Sequence, residues 1–167
     1  MNAARYFAVL LLLSLTATAE PTNFRVGAGI WQLSIDPGAP SHDDTGYALL
    51  AEFPQSEHAG SRFLVYGMNG QQDYLVRGVE TQLFWGWGLA SPGFRLYTGP
   101  AWHWQKSRAQ NSSHITHNGW GWHIGTGWQW RAITLDLTAS YRIPDDYDQD
   151  GQSVDVTTSA LLLSYRF

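Results

Sequence analysis

From position 24 onward, apolar residues recur at every second position in stretch after stretch, which is the period of a β-strand with one greasy face. The sixth of eight such stretches is the clearest. Trp120, Trp122, Ile124, Thr126, Trp128 and Trp130 fall on one side, and Gly121, His123, Gly125, Gly127 and Gln129 on the other. The seventh, residues 133–143, sets Ile133, Leu135, Leu137, Ala139, Tyr141 and Ile143 against Thr134, Asp136, Thr138, Ser140 and Arg142. In the fifth, 94–105, Phe94, Leu96, Thr98, Pro100, Trp102 and Trp104 oppose Arg95, Tyr97, Gly99, Ala101, His103 and Gln105. Pro100 is the misfit there, because proline removes a ladder donor. The eighth, 154–167, ends on Phe167, with Tyr165, Leu163 and Leu161 on the same face and Arg166, Ser164, Leu162 and Ala160 on the other.

The first half follows the same rule less cleanly. The first stretch, 24–35, alternates Phe24, Val26, Ala28 and Ile30 with Arg25, Gly27 and Gly29, then loses phase at Trp31-Gln32-Leu33, where a bulge is expected. The second, 45–53, sets Tyr47, Leu49, Ala51 and Phe53 against Ala48, Leu50 and Glu52, and Pro54 closes it. The third, 61–68, is apolar on both faces, which leaves its facing open. The fourth, 74–87, sets Val79, Thr81, Leu83, Trp85 and Trp87 against Gly78, Glu80 and Gln82. Turns fall at 55–60, 90–93 and 131–132, and polar connections at 36–44, 69–73, 106–118 and 144–153. With the N-terminus in the periplasm, the turns after the second, fourth and sixth strands are periplasmic and the longer connections face outside, the asymmetry of transmembrane barrels. The expected fold is therefore all-β: an eight-stranded antiparallel up-and-down transmembrane β-barrel with its strands in sequential order. The tryptophan pairs at both ends of the sixth strand read as two interfacial girdles.

What precedes position 24 changes the picture of where the chain goes. Arg5, an apolar run over 6–13 extended by Leu15, and Ala17-Thr18-Ala19 before Glu20 have the three parts of a secretory signal peptide. The expected organisation is a signal peptide at 1–19 and one barrel domain at 20–167. The formal charge of the whole chain is −4, more acidic still without Arg5, which argues against nucleic acid as a partner. No cysteine occurs, so disulfides and thiolate metal sites are excluded. Past the signal peptide no apolar run is long enough for a spanning helix. Nine Trp, 8 Tyr, 7 Phe and 17 Gly in a chain only 14% charged suit a sheet with one face in lipid.

The run YTGPAW in the fifth strand, the G-x-G-rich sixth, TLDLTASY in the seventh and SVDV leading to SYRF resemble the outer membrane protein X, Ail and Lom family over residues 96–167. The resemblance implies a small monomeric outer membrane barrel of the structural or interaction class. Its partners would be outer membrane lipid and lipopolysaccharide, with host or other surface ligands at the outer loops, and adhesion and serum resistance as roles. A terminal Phe after alternating hydrophobics also resembles the signal by which such barrels reach their assembly machinery, so Phe167 is expected to carry that contact. The excess of tryptophan and the loops depart from the family's pattern.

Candidate chemistry lies mainly on the inward face, where Arg25, Glu52, Glu80, Gln82, Arg95, His103, His123, Gln129, Asp136, Arg142 and Arg166 collect. An eight-stranded barrel is just wide enough for its own side chains, so these charges are expected to pair and plug the lumen rather than line a pore. His103 and His123, inward on neighbouring strands near the outer end, and His114 and His117 in the connection between them form an imidazole group of the kind that holds transition metals. In the last loop Asp146, Asp148, Asp150 and Gly151 form D-x-D-x-D-G, which suits calcium, but Thr157 stands where the bidentate Glu belongs, with Asp145 or Asp155 as substitutes. A lipid-modifying barrel enzyme is the alternative function. A lipid A deacylase needs His, Ser and an acid facing lipid, whereas the strand histidines point inward; a palmitoyltransferase needs an apolar cavity, whereas this interior reads as charged. No catalytic residue, cofactor or metal ligand is assigned.

Overall fold

The computed structural model describes residues 24–36, 42–69, 75–108, 114–143 and 155–167. Eight strands follow one another: β1 (Arg25–Asp36), β2 (His42–Pro54), β3 (Ala59–Asn69), β4 (Leu75–Trp87), β5 (Gly93–Arg108), β6 (Ile115–Gln129), β7 (Ile133–Arg142) and β8 (Asp155–Arg166). Each pairs antiparallel with the next, and β8 returns to β1 to close the barrel. Closure satisfies every strand edge, which is what lets a sheet stand in hydrocarbon. Phe167 extends the seam, its N–H donating to the Phe24 carbonyl at 3.0 Å.

The alternation read from the sequence becomes an outside and an inside. Ile30, Leu49, Ile124, Leu137, Leu161 and Leu163 are about half exposed, at 47–57%, while Arg25, Glu52, Arg95, Asp136 and Arg142 on the intervening positions are at most 2% exposed. Large apolar side chains outside and charges inside invert a water-soluble protein; this is the surface of a transmembrane barrel.

Two details correct the expectations, one settles a facing left open, and one bears out the misfit at Pro100. Trp31-Gln32-Leu33 holds no bulge, since β1 pairs residue for residue with both β2 and β8 through that segment. Trp31 and Leu33 stay inward and buried, so the apparent loss of phase marks the lumen becoming apolar. In β3 the even positions Arg62, Leu64, Tyr66 and Met68 are inward and buried, which fixes the facing left open. The polar connections are shorter than expected, because 42–44 belong to β2, 106–108 to β5 and 115–118 to β6. Polar composition there marks where the wall leaves lipid; the hydrogen-bond ladder continues, with Lys106 opposite Thr116. Last, the β4–β5 ladder skips from Gln82↔Ala101 to Trp85↔Thr98, and Pro100, which has no N–H to give, stands in the gap.

The barrel has a short-turn end, with turns at 55–58, 88–92 and 130–132, and a loop end carrying the other connections. Gly88 begins the second turn at φ 67°, a conformation that side chains avoid. Inside, a cluster that includes Trp31, Leu33, Leu50, Leu64, Tyr66, Met68 and Leu162 fills the β1–β3 and β8 side toward the loop end, and Phe84, Leu89 and Tyr97 form a second one toward the turn end. Glycine on β6 makes the filling possible, because a Cβ at Gly125 would lie 2.3 Å from the Tyr97 ring.

Candidate functional site

The lumen holds the densest chemistry. Glu52 of β2 is its centre: Arg62 Nε donates to Oε2 at 2.8 Å, Arg95 Nη2 donates to Oε1 at 2.9 Å, and Arg25 and the Arg62 Nη2 also donate to it. Asp136 of β7 takes a second bond from Arg62, at 3.0 Å, and lies 3.4 Å from Arg95 Nε. Arg62 Nη1 donates to the Tyr97 hydroxyl at 2.9 Å, and the Arg62 and Arg95 guanidiniums lie 5.0 and 4.9 Å from the centre of the Tyr97 ring. Three guanidiniums thus share two carboxylates, all buried; Glu52, Arg25 and Arg62 each make several charge-assisted bonds, whereas Arg95 donates one and Asp136 accepts one.

Toward the loop end a second group forms around Arg142, which donates to the Tyr66 hydroxyl at 2.9 Å and to Gln105 Oε1 at 2.5 Å and lies 3.8 Å from Glu80. Glu80 in turn accepts from Gln82 at 2.8 Å and Ser140 at 2.9 Å. At the turn end, segment 88–92 folds up beneath the lumen. Arg25 Nη2 donates to the Leu89 carbonyl at 2.7 Å, Arg166 and Gln129 donate to the Ala90 carbonyl at 2.7 and 3.2 Å, and Leu89 is fully buried. A cavity of about 10 Å³, lined by Trp31, Tyr66, Glu80, Ser140 and their neighbours, is room for one water molecule. The charges pair and fill the lumen as expected.

The sequence-derived candidates fare unequally. The inward residues lie where the alternation put them, but the set omitted Arg62, a hub of the network. Its signal was available only as a lone Arg in the apolar third strand, whose facing was open. The interior is also not charged throughout: its β1–β3 and β8 side is apolar toward the loop end. What opposes an acyl cavity is therefore filling rather than charge, since the apolar side chains pack against one another. His103 and His123 are inward and buried but not neighbours. His123 lies opposite Gly99 and His103 opposite Gly119, four residues nearer the loop end, or about 13 Å along the strand. His117, half-buried opposite Gln105, is the imidazole beside His103. Among the described residues no three His, Asp or Glu side chains gather in a metal-binding set. Asp146, Asp148, Asp150 and Gly151 lie outside the described residues.

The outer wall is chemically one-sided. Eight of the nine tryptophans stand on β4, β5 and β6 or on Trp130 just after them, while Trp31 points inward. The Trp122 indole donates to Thr98 Oγ1 at 2.7 Å and its ring meets Trp85 edge-on at 5.7 Å.

The sequence matches no protein-family model and no curated protein. Solved structures match at low identity. Neisserial surface protein A is 14% identical, covering 87% of this chain and 97% of that one, with a TM-score of 0.63. Ail, the attachment invasion locus protein of Yersinia pestis, is 14% identical, covering 86% and 97%, with a TM-score of 0.60. A second structure of Ail, in complex with the heparin analogue sucrose octasulfate, gives 13% identity over 86% and 97%, with a TM-score of 0.55. The N-terminal β-barrel domain of Pseudomonas aeruginosa OprF is 10% identical, covering 87% and 98%, with a TM-score of 0.58. At such identities the common property is the fold, and this chain has the fold of the small eight-stranded outer membrane barrels.

Proposed function

We propose that this chain is an outer membrane barrel, exported by residues 1–19 and assembled through Phe167, whose work is done at its loop end on the cell surface. The observation that carries the reading is the filled lumen. With Glu52, Arg62, Arg95, Asp136 and Tyr97 packed across it and Leu89 beneath, the barrel is a rigid post, and only its wall and its loop end remain to meet other molecules. The ligands we propose there are lipopolysaccharide and host or surface components, an adhesive or serum-resistance role like that implied by the resemblance. That Ail is found in complex with the heparin analogue sucrose octasulfate supports a ligand for a barrel of this fold.

A surface-binding screen of the refolded barrel, against lipopolysaccharide, matrix and serum components, tests the proposal alongside planar-bilayer recordings. Binding of a surface component with no stepwise conductance is expected. Steady ion conductance by the wild type would refute the filled-lumen reading. Altered lipid A on expression of the protein would favour the lipid-modifying enzyme instead.

A further inference from the structure

We propose that the outward face of the β4–β5 hairpin, where the wall emerges at the loop end, is a binding site for the phosphate-bearing headgroup of a glycolipid. Arg77 of β4 lies directly opposite Lys106 of β5, and both are outward and exposed. Like charges facing each other across a ladder repel and destabilise the pair. Arg108, two residues further on the same face and opposite Leu75, adds a third positive charge. No carboxylate pairs with any of the three among the described residues. The other cations of the described barrel lie in the lumen or at the turn end, so this hairpin concentrates the loop end's outward positive charge in an acidic chain.

The surroundings say what the cluster faces. Lys106 Nζ lies 5.2 Å from the centre of the Trp104 ring, which holds the ammonium at the top of the tryptophan wall. Thr116 stands opposite Lys106 and Asn118 opposite Trp104, giving a hydroxyl and an amide beside the charges. Across the barrel the rim has the opposite character, with exposed Asp155 accepting from the Tyr141 hydroxyl at 3.0 Å. Cations over an aromatic girdle and pointing away from the barrel axis meet headgroups rather than bulk water. Paired cations with sugar-compatible donors and an indole below fit phosphates carried on a saccharide whose acyl chains run down the wall. The site rests on the orientation proposed above for its leaflet, though not for its chemistry.

The test titrates the refolded full barrel in detergent with lipid A, with dephosphorylated lipid A and with heparin, and reads bound lipid by native mass spectrometry. A variant carrying Arg77→Gln, Lys106→Gln and Arg108→Gln is expected to bind lipid A on the order of a hundredfold more weakly, at roughly fivefold per charge. Arg131→Gln at the turn end is expected to bind as the wild type does, and a urea midpoint no lower than that of the wild type shows that the triple variant is folded. Wild-type affinity in the folded triple variant, equal binding of the dephosphorylated lipid, or binding of heparin in place of lipid A would each overturn the site. Orientation is read separately, by labelling an Ile115→Cys variant on intact cells with a membrane-impermeant maleimide. Failure of that label sinks the proposed orientation while the titration still judges the site.

Discussion

Replacing Glu52 by Gln removes the negative charge at the centre of the lumen while keeping its shape. In the wild type Arg25, Arg62 and Arg95 donate to Glu52, and Asp136 answers only Arg62 and Arg95, at 3.0 and 3.4 Å. The variant therefore leaves three buried guanidiniums facing one carboxylate. Removing one partner of a buried ion pair costs about 3–5 kcal/mol, because the charge left behind has lost its water. Four charge-assisted bonds meet at Glu52, which places Glu52→Gln at the upper end, about 5 kcal/mol. Asp136→Asn should cost about 3 kcal/mol, since its contacts are fewer and one is long. Equilibrium urea unfolding in lipid vesicles, followed by tryptophan fluorescence, measures both. A second change, Arg62→Met, should recover part of the Glu52→Gln loss by removing one uncompensated charge, giving a favourable coupling in the double-mutant cycle. Equal midpoints for Glu52→Gln and Asp136→Asn, or no recovery with Arg62→Met, would refute Glu52 as the electrostatic centre.

Deleting Phe167, which closes the β8–β1 seam through the Phe24 carbonyl, should leave the protein degraded in the periplasm; normal outer membrane yield would contradict the proposed assembly role. On the outward face of β6, Ile124→Arg should cost about 2–4 kcal/mol and Trp128→Arg about 0–1 kcal/mol, because a charge near the middle of the bilayer has no route to water. Identical urea midpoints for the two in bilayers would show that the assigned depths are wrong. Gly88→Ala should destabilise by about 1–3 kcal/mol, since it combines φ 67° with a Cβ 2.2 Å from the Phe94 carbonyl oxygen; an unchanged midpoint would show that the turn relaxes freely.

Much of the barrel was legible in the chain because lipid enforces a strict code. Every outward position on β6 and β7 must be compatible with hydrocarbon or interface, and each strand must hand its hydrogen bonds to the next, so period two and turn spacing suffice to give strand number and order, and the facing of every strand but β3. The same code fails where the constraint lapses. Above the membrane the outward face of β5 and β6 no longer needs apolar residues, so Lys106 to Arg108 look like a loop although the ladder continues through them. Inside the barrel either polarity is tolerated if the side chains fill the space, and so Trp31 and Leu33 imitated a bulge and the two apolar faces of β3 hid Arg62.

The sequence by itself determined the class of object, an eight-stranded closed sheet with aromatic girdles and charges inside, because alternation is local and each residue's face depends only on its own position. Partners depended on closure. That Arg62 and Arg95 share Glu52 and Asp136, that His103 stands beside His117 rather than His123, and that Arg77 faces Lys106 all follow from the register between strands. Register is a property of pairs of strands and of the closed ring. No single strand contains it, and only the tertiary structure could decide it.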